Sequence, residues 1–192
     1  HNTAVGQAAL YLNTTASANV AIGQESLRTN TTGGMNTAVG LQSLYANTTG
    51  GSNVAVGHVA LYANTTGNYN TAVGIDAMKA ATTSAGNVAM GRQALQACTT
   101  GNYNTVLGHA AGANNGPMTT AASNVIIGAF CDPDAVDAVN QIVLGYDATG
   151  VGDNYLTFGK GHTGTNRVYN QFTANASWTR TSDERFKKDI QT

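Results

Sequence analysis

The sequence predicts an all-β chain, a parallel β-solenoid (β-roll) of 17-residue coils. Three observations point to it. The motif Asn-x-Ala-x-Gly, with close variants, starts at positions 2, 19, 36, 53, 70, 87 and 104, always 17 residues apart. Each copy holds one short Val- or Ile-containing segment, which favours a strand, and later a Thr-rich turn. Charged residues make up only 10% of the 192-residue chain, well below the roughly 25% of ordinary soluble domains. Polarity rests instead on Asn, Thr, Ser and Gly, which are weak helix formers.

The unit reads in order. Its strand alternates: in "NTAVG" at 36, Thr37 and Val39 face one way, Ala38 and Gly40 the other. The glycine keeps a fixed place in the unit, as a backbone needing positive φ or a close approach would require. Eight residues after the Asn comes an apolar residue: Leu10, Leu27, Leu44, Leu61, Met78 or Leu95. "NTT" follows at 13, 30, 47 and 64, and "CTT" at 98. Thr and Val alternate in the second position, which suggests a 34-residue pair as the true unit. After a three-residue insertion around Gly116 and Pro117, "NVIIG" at 124 and "QIVLG" at 141 resume the pattern, and "YLTFG" at 155 is a weaker echo. One strong strand per coil suits a flat, two-sided roll better than a three-sided helix of equal parts.

Stacked at about 4.8 Å, seven coils make a rod on the order of 34 Å long. Identical residues then form ladders, Asn above Asn and Thr above Thr. The pattern predicts that Val and Leu fill the roll while Ala and Gly line a second surface. Such a filling is thin, since burying a Val or Leu contributes roughly 1.5–3 kcal/mol each. The small-residue surface is therefore expected to pack on copies of itself about a symmetry axis.

Bulk properties exclude several classes. The net charge is −1 and no basic stripe is present, so nucleic acid is not an expected partner. No apolar run approaches the roughly 18 residues of a membrane helix, so membrane insertion is not expected. The chain starts in mid-pattern at "HNTAVG" and reads as a piece of a longer protein. Cys98 and Cys131 read as small apolar fillers rather than a disulfide framework. His1, His58, His109 and His162 are scattered, and no metal site or cofactor is expected. Asp132, Asp134 and Asp137 in "CDPDAVD" resemble a loose cation loop, but Pro133 favours a solvated turn. No paired-carboxylate motif marks a glycosidase.

The Asn-x-Ala-[Val/Ile]-Gly unit resembles the head repeats of trimeric bacterial adhesins over roughly residues 1–145. The resemblance implies left-handed parallel β-rolls around a three-fold axis, and so a homotrimer. Heads of that class use a shorter coil. An extra loop of about three residues is therefore expected to project here, with "ANTTGG" and "ANTTGN" as candidates. Residues 1–130 read as the β-roll head and 131–164 as its irregular end. Residues 165–181 lose the 17-residue register; Val168, Phe172 and Trp178 among polar residues predict a narrow intertwined β shaft of three chains.

Residues 182–192 differ again. The last thirteen residues carry seven charges, whereas residues 1–108 carry five. "SDERFKKDI" at 182 resembles the opening of the intramolecular chaperone domain found at the C-terminus of phage endosialidases and many phage tail fibres. Ser182, Asp183, Arg185 and Lys187 match that family's Ser-Asp-x-Arg-x-Lys, with Ile190 in the apolar place. The resemblance implies a domain that brings three chains into register and then cuts itself off at Ser182–Asp183. Ser182 would be the nucleophile and Lys187, desolvated, its base. Such maturation is single-turnover and needs the rest of the domain. Ser182 also suits a helix N-cap, with Asp183 and Glu184 in the first turn.

Ligand contacts are expected where a regular scaffold is interrupted. Tyr146, Tyr155, Phe158, Lys160, His162 and Arg167 gather in such segments. Tyr11, Tyr45 and Tyr62 read as a packing stripe along the rod, with stacking on sugars as the other option. Together these readings describe a trimeric extracellular fibre segment, from a phage virion tail or a bacterial cell surface. It would attach to a cell-surface ligand, with glycan the expected class. A glycan-depolymerising tailspike enzyme and a passive spacer are the competing readings.

Overall fold

A computed structural model describes residues 1–114 and 117–159. No helix occurs among them. Ten three-residue strands form one parallel sheet in sequence order: β1 (Thr3–Val5), β2 (Val20–Ile22), β3 (Thr37–Val39), β4 (Val54–Val56), β5 (Thr71–Val73), β6 (Val88–Met90), β7 (Thr105–Leu107), β8 (Val125–Ile127), β9 (Ile142–Leu144) and β10 (Leu156–Phe158). Each strand pairs with its counterpart one coil on, Ala38 beside Ala55 and Ala55 beside Ala72. The chain is thus an all-β parallel solenoid of 17-residue coils. The insertion before β8 is absorbed without loss of register, Val106 pairing with Ile126. The last coil is shorter, Ile142 pairing with Leu156.

Most backbone amides find their partners in neighbouring coils, in both directions. The Thr37 N–H donates to the Asn53 carbonyl at 2.8 Å, and the Gly40 N–H donates to the Ile22 carbonyl at 2.8 Å. The opposite wall has no strand, yet it is tied the same way: Leu44 N–H donates to Ala60 and Ala46 N–H to Tyr62, both at 3.0 Å. In each of the first four coils three non-glycine residues take left-handed backbone; in the third these are Gln42 (φ 55°), Leu44 (φ 51°) and Ser52 (φ 57°). Each such conformation costs roughly 1–2 kcal/mol. Their amides are held from adjacent coils, Gln42 by the Gln24 carbonyl and Ser52 by that of Gly34.

The interior corrects the expected filling. Ala21, Ala38, Ala55, Ala72 and Ala89 point inward and are fully buried, while Val39, Val56 and Val73 point outward and are half-buried. Volume decides this. The Leu27–Leu44–Leu61–Met78–Leu95 column and two columns of buried Asn already occupy the lumen, leaving room for only a methyl group on the strand. Where the Leu column gives way to Gly112, the strand residues grow to Val106, Ile126 and Val143. Met118 fills the gap, its Sδ lying 2.8 Å from where a Cβ on Gly112 would stand. The strand glycine does not line a free surface either. Gly74 has φ +133°, and a Cβ there would lie 2.4 Å from the Gly91 carbonyl oxygen of the next coil.

The first Asn column spans the described solenoid. Asn36 Oδ1 accepts the Asn53 backbone N–H at 2.9 Å and the Asn53 Nδ2 at 3.1 Å, while Asn53 Nδ2 also donates to the Gly67 carbonyl at 2.8 Å. Repetition carries this to Asn124, whose Oδ1 accepts the Gln141 N–H at 2.8 Å. Buried amides are tolerated because their donors and acceptors are met along the axis.

The second column is the "NTT" asparagine, and it corrects the expected loop. The segment does not project. Asn47 Nδ2 donates to Asn30 Oδ1 at 2.7 Å and to the Gly50 carbonyl at 2.9 Å, and Asn64 continues the ladder at 2.8 Å. Beside it the threonines form their own ladder, Thr48 Oγ1 donating to the Thr65 carbonyl at 3.0 Å. At Ala81 the Asn ladder breaks, leaving Asn64 Oδ1 buried without a partner. The glycine three residues on is coupled to this. A Cβ on Gly67 would stand 2.3 Å from Asn64 Oδ1, but opposite Ala81 the same place holds Ser84, whose buried hydroxyl also lacks a partner.

The break predicts a coupled pair. Ala81→Asn alone drives an amide against the Ser84 Cβ and should destabilise. Ala81→Asn with Ser84→Gly should rebuild the ladder through Asn64 and gain about 1 kcal/mol over the parent. Urea unfolding of the four proteins of the cycle checks this; equal effects of Ala81→Asn in both backgrounds would reject the coupling.

Candidate functional site

Three surface strips run along the rod, and their chemistries differ. The outer face of the sheet carries no charged residue on any strand. One column on it is Val5, Ile22, Val39, Val56, Val73, Met90, Leu107, Ile127, Leu144 and Phe158; the other alternates Thr and Val from Thr3 to Val125.

A second strip lies just after the strand glycine. All five charges of residues 1–108 fall within five residues of it: Glu25, Arg28, Asp76, Lys79 and Arg92. They pair locally, Arg28 with Glu25 at 3.6 Å and Lys79 with Asp76 at 3.2 Å. Tyr11, Tyr45 and Tyr62 share this strip. The Arg28 guanidinium sits between two rings, 5.8 Å from the Tyr11 centroid and 5.6 Å from that of Tyr45. Its Nη1 donates to the Tyr45 hydroxyl at 2.9 Å. Tyr45 and Tyr62 stack at 5.1 Å with planes 9° apart. These rings cover one another's faces, as a packing stripe does.

The third strip is the residue before the first-column Asn. There Met35, Tyr69 and Tyr103 alternate with the small residues Ala18, Ser52 and Gly86. Met35, Tyr69 and Tyr103 are among the most exposed large side chains, at 69%, 72% and 70%. Sequence reasoning passed over this column. Its signal was present in the residue preceding every "NTAVG" and "NVAVG", where bulk follows the 34-residue period.

The final coils gather another aromatic group. Tyr146 meets Phe130 edge-on at 5.9 Å, and Phe130 meets His109 edge-on at 5.1 Å. His109 and Phe130 were not singled out from sequence as ligand contacts; the coil-to-coil stacking of residues 21 and 16 positions apart brings them to Tyr146. Tyr155 and Phe158 are exposed but share no ring contact with Tyr146. Phe158 belongs to the sheet face instead. Lys160, His162, Arg167, the shaft at 165–181, and Ser182, Asp183, Arg185 and Lys187 lie outside the described residues.

The acidic loop is structural where it is described. Asp132 is buried and its Oδ1 accepts the Asn114 N–H at 3.0 Å. Asp134 Oδ1 accepts from the buried Gln141 Nε2, which also reaches Asp153 Oδ1 at 3.3 Å. Among the described residues no group of three His, Cys, Asp or Glu is placed to hold a metal ion, and no helix is long and apolar enough to cross a membrane. Both cysteines are free and buried. Burial pushes the Cys98 thiol up to about 11, against a smaller opposing effect of its contact with the Gly101 carbonyl.

No protein-family model, curated protein or solved structure matches the chain.

Cys98 supplies a probe of the lumen. Its raised pKa leaves almost no thiolate near pH 8, and the thiolate is the nucleophile. Alkylation by iodoacetamide should be slower by at least about 100-fold in the folded protein than in urea. Mass spectrometry of time points reads it; rapid labelling of Cys98 in the folded state would contradict a closed lumen.

Proposed function

We propose that the chain is the repeat segment of an extracellular, homotrimeric fibre that attaches to a cell-surface ligand, with glycan as the ligand class. The carrying observation is the contrast between two strips of the rod. The sheet face is charge-free along its described length, whereas the charges of the first seven coils lie on the neighbouring strip. Ten rungs at about 4.8 Å and about 10 Å of strand width give this face on the order of 450 Å², as large as the biggest apolar patches monomers leave exposed. A face of Val, Ile, Leu and Thr with no charge fits burial against identical faces around an axis. The charged strip and the tyrosines then look outward. The contact surface is thus the Val/Thr face, in place of the Ala/Gly surface the sequence suggested. The adhesin-like repeat supports the number three, and the tail-fibre-like "SDERFKKDI" supports a phage tail or bacterial surface as the setting.

The same resemblance supports maturation by a downstream chaperone. The Ser182 hydroxyl, its proton taken by Lys187, would add to the carbonyl of the Ser182–Asp183 bond; that proton would pass to the departing Asp183 amine, and water would hydrolyse the ester left behind, so that the bond is cut once per chain. In a chain carrying that downstream domain, Ser182→Ala should leave the bond whole by mass spectrometry. Cutting that persists in the variant would reject the assignment.

Trimerisation is testable directly. Light scattering should give three times the 19.6 kDa chain mass. Val56→Asp with Val73→Asp should lower the mass to one chain while retaining the β signature by circular dichroism, because both side chains point out of the coil. A parent that is a stable monomer would remove the reading. A glycan array probed with the trimer tests attachment.

A further inference from the structure

We propose that Tyr69 and Tyr103 form a comb that binds a neutral, extended glycan chain, one tyrosine meeting every second sugar ring. The inference rests on the attachment reading and names the ligand geometry and the residues.

Ring access separates these tyrosines from the other aromatic column. Tyr45 and Tyr62 stand in adjacent coils and stack on each other, so their facing surfaces are closed to a sugar. Tyr69 and Tyr103 stand two coils apart with Gly86 between them, and each is at least 70% exposed. Neither shares a ring contact with another aromatic among the described residues. A π face is negative, and the axial C–H groups of a pyranose offer it a weakly positive, apolar surface.

The Tyr103 ring is also held in place. A Cβ on Gly86 would lie 2.7 and 2.9 Å from Cδ1 and Cε1 of Tyr103, so in this position the ring packs directly over the Gly86 backbone. The preceding asparagine pins each turn: Asn102 Oδ1 accepts the Ala85 N–H, and Asn68 Oδ1 accepts the Gly51 N–H, both at 2.7 Å. A platform fixed before binding loses little freedom on binding.

Spacing and charge choose the ligand. Two coils separate the tyrosines by about 9.6 Å along the axis, close to the length of two pyranose rings in an extended chain. In an extended β-1,4-linked chain successive rings turn over, so the same face recurs at every second ring. An α-1,4-linked chain coils and does not keep that straight repeat. The five charges of the first seven coils all lie on the other strip, so the comb selects no ionic group.

Calorimetry on the intact trimer with cellohexaose, N-acetylchitohexaose and maltohexaose tests this. At least one β-1,4-linked hexasaccharide should bind and maltohexaose should not. Tyr69→Ala with Tyr103→Ala should weaken binding by at least about tenfold, two ring contacts of ordinary strength. Tyr69→Phe with Tyr103→Phe should stay within about threefold of the parent. Tyr45→Ala with Tyr62→Ala should leave affinity unchanged. If the parent binds glycans on an array but neither β-1,4-linked probe, or if the Tyr69/Tyr103 alanine variant keeps full affinity, the comb is wrong and attachment stands. If the parent binds no array glycan, both readings fall. A changed mass for the alanine variant by light scattering would assign these tyrosines to contact between copies and overturn the comb.

Discussion

Most backbone amides in this solenoid find their partners one coil away, and the rest of the structure follows from that constraint. A coil offers the coil above what it takes from the coil below, so the sequence must restate itself at the interval of the winding. The buried asparagines make the demand explicit. Asn53 is acceptable inside an apolar lumen only because Asn36 lies beneath it and Asn70 above, each answering one side of its amide. Where the second ladder loses its asparagine at Ala81, the cost is visible in the unanswered oxygen of Asn64. The glycine rule relaxes at the same coil, which identifies the Asn side chain as part of what forbids a Cβ there.

The winding was legible in the sequence because periodicity is a property of order, and order survives without coordinates. The 17-residue interval, the strand in each unit and the absorbed insertion before Val125 could all be read directly. The side of the strand that faces inward could not. Valine is more apolar than alanine, and hydrophobicity alone sends Val39 and Val56 inside. Lumen volume reverses the choice, since Leu44 and the amides of Asn36 and Asn47 leave space for a methyl group only. Hydrophobic pattern gives the two faces of a strand; the size of what lies opposite selects between them. The terminal coils show the rule running the other way, with Ile126 and Val143 inside where the leucine column has ended.

The surface was less legible, for a related reason. A tyrosine's availability depends on the residue one coil away, which is 17 positions distant in the chain. Tyr62 and Tyr69 look alike in sequence and stand seven residues apart. One is stacked on Tyr45 and the other projects with no ring neighbour among the described residues. Tyr146, Tyr155 and Phe158 were grouped from sequence as ligand contacts, and the structure divides them. Tyr146 joins Phe130 and His109, while Phe158 extends the sheet face. The charge distribution was fully present in the sequence. It acquires meaning only when the winding lays Glu25, Arg28, Asp76, Lys79 and Arg92 along one line.

The left-handed residues set how the rod can fail. Gln42, Leu44 and Ser52 hold unfavourable backbone because carbonyls in adjacent coils accept their amides. An inner coil is gripped from two sides and a terminal coil from one, so melting begins at the ends and travels inward, as expected of quasi-one-dimensional repeats. A protease that severs one surface turn in the middle therefore frees no fragment. Both new ends stay laced to the rungs above and below, and the shaft keeps its form with a broken covalent thread.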